Sequence, residues 1–226
     1  MPGGVQAIHE PWRNCFAQLE FYFDYEQIRQ QYSDLEIFQL LETKPLAPLS
    51  TMIAKNLNSP LSSSCGRWFD AFAAVLGLCT GQAAYEGQAA CLLETLAAKE
   101  FINERNNAYS YAVLKQQNMY VLNWKPLWLA VLNDLRDQLN KSVIAARIHH
   151  TLAAASVDLI IKLSEQTATN TIVLSGGVFQ NRLLLESITQ QLEQYGKKVL
   201  TSQVYPVNDG GLSLGQALVA ISRTKI

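Results

Sequence analysis

The pattern that most constrains this chain is a strand, a glycine turn and a helix, met twice in succession near its C-terminal end. TIVLSGG (171–177) reads as a buried strand running into paired glycines. NRLLLESITQQLEQYG (181–196) reads as a helix closed by Gly196, and KKVLTSQ (197–203) as a second strand. DGGLSLGQALVAIS (209–222) is a second glycine turn entering a last helix. Strands alternating with helices define an α/β layer with a parallel sheet. A short sheet covered by helices 142–166, 181–196 and 209–222 is therefore expected.

The rest of the chain is mostly helical by period. Residues 5–32 read as a helix entered near Pro11, and 34–43 as another with Asp34 as its cap. NSPLSSS (58–64) signals a loop. GRWFDAFAAVLGL then carries apolar residues at 68, 69, 72, 75, 76 and 78, the spacing of a buried helix ended by Gly77 and Gly81. An Ala-rich helix follows at 88–100, strands within 108–123, and helices at 126–139 and 142–166.

Composition excludes several classes. Hydrophobic residues make up 49% and charged residues 16% of 226, which supports a packed core rather than disorder. The net charge of −1 offers no basic field for nucleic acid. No uninterrupted apolar run reaches the roughly 18 residues of a membrane span, and MPGGVQAIHEPWRN lacks a signal-like core. A soluble, cytoplasmic protein with no membrane partner is expected. Cys15, Cys65, Cys79 and Cys91 have no C-x-x-C spacing, so buried free thiols are expected rather than zinc or disulfides.

Three places could carry chemistry. At Ser175-Gly176-Gly177 with Asn181, paired glycines after a strand let a phosphate approach backbone amides, and Asn181 can bond a nucleotide. The competing reading is a turn that needs positive φ. At Asn208-Asp209-Gly210-Gly211, a carboxylate could hold a metal beside phosphates, or simply cap the last helix. Two glycine turns at successive parallel strand ends should lie side by side, where ligands bind. The third place is Gly66-Arg67 with Asp70, followed by Tyr85-Glu86-Gly87-Gln88. Asp70 interrupts an apolar helix, so it either meets a ligand such as a ribose diol or pairs with Arg67 one turn earlier. Asp70, Gly177 and Asp209 are expected to be solvent-reachable and to converge. Adjacent His149 and His150 point about 100° apart on a helix and cannot share one metal ion. They read as core or rim residues. No P-loop lysine or nucleophile elbow is present, and no catalytic residue can be assigned.

PGGVQAIHEPWRN, NSPLSSSCGRWFDAFAAVLGL, YEGQAACLLETLA, LSGGVFQNRLLLE and NDGGLSLGQALVA resemble, in order and spacing, signatures of the HypF-type carbamoyltransferases. The resemblance covers about residues 2–222. It implies the C-terminal lobe of an actin-like (ASKHA) ATPase domain, shared with TsaD, with 1–57 as a helical lead-in and 58–226 as the nucleotide-binding lobe. It implies that carbamoyl phosphate and ATP yield carbamoyl adenylate. The carbamoyl group then passes to the C-terminal cysteine of a HypE-like acceptor and becomes the cyanide ligand of [NiFe] hydrogenase. By resemblance Gly176, Gly177 and Asn181 contact nucleotide, Asp70 binds ribose, and the glycine of the next turn falls at Gly87 or Gln88. Asp209 binds a divalent metal (Fe, Zn or Mg), shared with histidines that this sequence lacks.

Family members also carry an acylphosphatase-like domain, a zinc-finger segment, a YrdC-like domain and a first transferase lobe, none matched here. A separately encoded N-terminal portion is thus an expected partner, and the chain alone an expected inactive half. His9 stands where arginine is expected, and Trp68 where leucine is. The alternatives are a non-catalytic docking module and a TsaD-like or O-carbamoyltransferase lobe.

Overall fold

The computed structural model describes residues 1–224. The chain divides into two compact units, one from Met1 to Thr151 and one from Leu152 onward.

The first unit is helical. It opens with α1 (Gln6–His9), α2 (Pro11–Tyr22) and α3 (Tyr25–Gln31). Pro11 begins α2 because the first helical position needs no amide donor. The expected single helix over 5–32 breaks where Phe23 turns extended and Asp24 caps α3 by accepting from the Gln27 amide. Next come α4 (Glu36–Glu42) and α5 (Leu46–Ala54). Asp34 does not cap α4; Leu35 holds that position, and the Asp34 carbonyl accepts from the Gln39 side chain.

The unit continues with α6 (Cys65–Val75) and α7 (Gln88–Ala97). Left-handed Gly77 (φ 78°) ends α6, its amide donating to Ala74. A hairpin pairs β1 (Ala112–Gln116) with β2 (Met119–Asn123) antiparallel, and α8 (Lys125–Arg136) follows. The core is aromatic. Phe72 of α6 stacks on Trp128 of α8 at 4.7 Å, and the Trp128 indole donates to Gln18 of α2 at 3.0 Å.

A single helix, α9 (Lys141–Thr167), runs out of the first unit. Its early turns are anchored by polar contacts as well as packing. Arg147 pairs with Glu104 at 2.7 Å and with Asp134 at 3.1 Å. Tyr109 donates to Asp134, and its amide donates to Thr151. Although no uninterrupted apolar run reaches 18 residues, α9 is long and apolar enough by composition to cross a membrane. Some 61% of its most apolar window is buried inside the protein, as in a core helix.

In the second unit β3 (Thr171–Leu174) pairs parallel with β4 (Lys198–Thr201), joined through α10 (Arg182–Gln194). Leu184, Ile188 and Leu192, four residues apart, form the buried stripe of α10. The last helix is α11 (Leu212–Thr224). It departs from expectation: none of its side chains is buried, so it does not serve as a packed cover.

Candidate functional site

In the second unit the two glycine turns lie side by side, as parallel pairing requires. The Gly176 amide donates to the Val207 carbonyl at 2.8 Å, and a side chain built on Gly177 would sit 3.7 Å from Asn208 Cβ. The two glycines of the first turn serve different ends. Gly176 has φ 113° and ψ 156°, a region essentially reserved for glycine. Gly177 has no positive φ, and the contact its Cβ would make is ordinary, so folding alone does not require glycine there. Gly177 opens a short 3-10 turn, and among the described residues the amides of Gly177 and Val178 donate to no acceptor.

Asn181 is buried at the N-cap of α10, where its side-chain oxygen accepts from the Leu184 amide at 2.9 Å. At the second turn the capping duty falls to Asn208, whose side chain accepts from the Gly210 amide at 3.0 Å. Asp209 is therefore not the cap. It is exposed, and its carboxylate has no hydrogen bond or ion pair among the described residues. Sequence reasoning missed the part played by Asn208; the N-x-G spacing of an Asx turn was the available signal. Gly211 is fixed by close approach, because an added Cβ would fall 2.5 Å from the Pro206 carbonyl oxygen. Gly211→Ala should cost about 1–3 kcal/mol in a urea titration, since backbone must move to make room.

In the first unit Asp70 lies on α6 with its side chain only 3% exposed, 2.8 Å from Arg67 Nη1. The two are in ionic contact without hydrogen-bond alignment. Burial pushes the Asp70 carboxyl up to about 6; Arg67 opposes that and Glu86 adds to it. Asp70 is thus not solvent-reachable as expected, because the guanidinium one turn earlier lies against it. Arg67 also approaches Glu86 at 3.7 Å. Gly87 takes φ 86° ahead of α7, and Gln88 spends its side-chain oxygen on the Ala84 amide at 2.7 Å.

His149 and His150 occupy the interior, as expected. His149 Nδ1 lies 2.8 Å from the Ala145 carbonyl, and His150 Nε2 lies 2.8 Å from that of Phe101. Among the described residues no three His, Cys, Asp or Glu side chains gather as a metal cluster. Asp209 is consequently one possible metal ligand rather than part of a complete set. All four cysteines are free, but only Cys15 is buried as expected; Cys65 and Cys79 are half-buried and Cys91 is exposed.

The second unit is an α/β lobe with open backbone donors at a parallel sheet's edge, and its likeness to HypF structures and a Kae1-like family supports a lobe of the actin-like ATPase type. Residues 1–216 match the family described as "Carbamoyltransferase, Kae1-like Domain, second subdomain", and the chain belongs to that family. It is 35% identical to "Carbamoyltransferase HypF2" of Cupriavidus necator, matching over 99% of this chain and 29% of the relative. It is also 35% identical to "Carbamoyltransferase HypF" of Rhodobacter capsulatus, over 98% of this chain and 27% of that protein. The chain thus spans under a third of the length of these two relatives. The crystal structure of a full-length HypF in its phosphate- and nucleotide-bound form superposes with a TM-score of 0.84 at 32% identity. That match covers 100% of this chain and 28% of the other.

Proposed function

We propose that this chain is the nucleotide-binding lobe of a cytoplasmic carbamoyltransferase of hydrogenase maturation. In this reading the lobe binds ATP or carbamoyl adenylate, and the carbamoyl group goes to the C-terminal cysteine of a HypE-like acceptor. One observation carries the reading: the undonated amides of Gly177 and Val178 on a turn bonded to the one that presents the unpaired carboxylate of Asp209. Backbone donors at glycine turns suit phosphate oxygens. A hard carboxylate suits a divalent metal that shares those phosphates. Gly176, Gly177 and Asn181 would hold the nucleotide and Asp209 the metal, whose chemistry is to offset phosphate charge. Asp70 would serve the ribose only once released from the Arg67 contact that buries it, and Gly87 or Gln88 would contact the nucleotide. Four free thiols accord with a reducing compartment.

The test is a titration of a non-hydrolysable ATP analogue with magnesium. Gly177→Ala should fold normally, because its Cβ meets only ordinary contact, yet weaken binding about tenfold by crowding the turn amides. Unchanged affinity in that variant would refute the phosphate role. A non-catalytic docking module is the second reading. The observation favouring it is the commitment of Asp70 to Arg67 in a buried pair. Asp70→Asn distinguishes the two: a ribose ligand predicts weaker analogue binding, a structural pair predicts none.

A further inference from the structure

Arg67 stands between a cavity and a buried carboxylate. The cavity, about 780 Å³, lies in the first unit, and its wall includes Glu20 and Tyr22 of α2, the exposed Ser62 and Ser63, and Arg67 and Trp68 of α6. Asp70 is not part of that wall, although Arg67 Nη1 touches Asp70 Oδ2 at 2.8 Å.

Both atoms of this contact are buried, and neither makes a hydrogen bond. A guanidinium and a carboxylate are held most firmly by aligned, paired hydrogen bonds. Without them, the attraction between two buried charges does not recover the cost of leaving water. The other terminal nitrogen of the same guanidinium, Nη2, lies 3.7 Å from Oε1 of Glu86. The two carboxylates differ in setting, for the Asp70 side chain is 3% exposed and that of Glu86 is 72% exposed. One guanidinium thus faces a buried partner that it holds poorly and a solvated partner beside it. Passing from the first to the second asks only for a side-chain rotation.

Glu20 gives the cavity its chemistry. Its Oε2 is also buried and without a hydrogen-bond partner. With Arg67 turned away, Asp70 Oδ2 is the next polar atom behind the wall. Carboxylate oxygens short of donors suit a ligand that brings hydroxyl groups, and a vicinal sugar diol brings two.

We infer that Arg67 is a latch: it closes over Asp70 in the unliganded protein and passes to Glu86 when a sugar diol enters, so that diol binding competes with the Arg67–Asp70 contact. Arg67 is then a positioning residue, and Glu86 its receiving partner. The latch rests on the nucleotide-binding reading proposed above. A ligand that needs the open state binds with an affinity lowered by the fraction of molecules that are closed.

The test titrates the full chain, with magnesium, against a non-hydrolysable ATP analogue, its dideoxy counterpart and inorganic tripolyphosphate. Glu86→Gln should weaken the analogue about threefold, the size of an exposed ion pair, and leave the two ligands without a diol unchanged. Arg67→Met should tighten the analogue about tenfold, because the closed state is lost. In that background Glu86→Gln should have no effect, since the coupling runs through the guanidinium. If Arg67→Met does not fold, Arg67→Lys takes its place: an ammonium is a point charge that cannot face both carboxylates at once, so Glu86→Gln should again be silent. In wild type the Arg67 Nε–H resonance should move with the analogue and stay in place with tripolyphosphate. Analogue affinity indifferent to Glu86→Gln in wild type would overturn the latch, as would a folded Arg67→Met that binds the analogue more weakly. Tripolyphosphate binding that Gly177→Ala weakens would then leave the phosphate role standing. Failure of every variant to bind any of the three ligands would remove the proposed function and the latch with it.

Discussion

Mixed with ATP, carbamoyl phosphate and a peptide bearing a HypE-type C-terminal cysteine, the purified chain should transfer no measurable carbamoyl group. The transfer needs an activated donor, and in the proposed reading the carbamoyl adenylate is made by domains outside the stretch matched here. It also needs charge compensation at the phosphates, and in the proposed reading Asp209 is the one carboxylate assigned to that task among the described residues. A single carboxylate with waters holds a divalent ion only weakly without help from substrate phosphate. Activity should appear when the remaining domains of a HypF are supplied in trans. In that reconstituted system Asp209→Ala should lower the rate at least about 100-fold, since even outer-shell partners of a metal are worth 10–100-fold. The same substitution should shift stability by no more than about 0.5 kcal/mol, because the carboxylate caps nothing and pairs with nothing among the described residues. Turnover by the chain alone at an ordinary enzymatic rate would defeat this account. A reconstituted enzyme indifferent to Asp209→Ala would remove the metal role while leaving the lobe's identity intact.

The elements with strong local signals were legible in sequence. The apolar stripe of α10 and its closing Gly196, the glycine stop after α6, and the two strands that close into a parallel pair all follow from period and punctuation. The adjacency of the two glycine turns was also legible, because it follows from parallel pairing and no long-range knowledge is required. What escaped depends on which of several competent neighbours wins. Asp34 is an able cap, yet Leu35 takes the N-cap position of α4, while the extended backbone at Phe23 lets Asp24 cap a separate α3. Asn208 and Asp209 compete in the same way, and the loser is the residue left available for chemistry. Asp70 posed the harder case. Spacing alone permits both a ribose contact and a pair with Arg67, and burial within α6 shows the pair formed. Nor can a helical period say whether an apolar face is covered. Both α10 and α11 carry apolar residues toward one side, yet those of α10 include a buried stripe and none of α11 is buried. The division of the chain falls at Thr151–Leu152, inside an unbroken helix, where no loop signal could mark it.

Two buried groups of opposite sense should make the acid response of this protein depend on which of them is removed. Burial pushes His149 down to about 4 from 6.5, with the Ala145 carbonyl partly opposing. The unfolded chain therefore takes up a proton near pH 6.5 while the native imidazole refuses it until about pH 4. Stability from this group is full above pH 6.5 and is lost as pH falls toward 4, by about 3 kcal/mol for a shift of this size. His150 is shifted the same way by burial and adds to the loss. Asp70 acts in reverse. Its carboxyl is raised to about 6 from 3.8, so the native state keeps a proton that the unfolded chain has released. Its contribution is full below pH 3.8 and is lost as pH rises through 6. Over the same window the two oppose, and the wild-type urea midpoint should change little between pH 7 and 4.5. Asp70→Asn should unmask the histidine and steepen the acid loss. His149→Leu should leave the Asp70 contribution to dominate, so that stability rises as pH falls from 7 to 4.5. The slope against pH is the readout, so a uniform cost of either substitution does not matter. Parallel pH profiles for the three proteins would show that neither group titrates differently in the fold than in the unfolded chain.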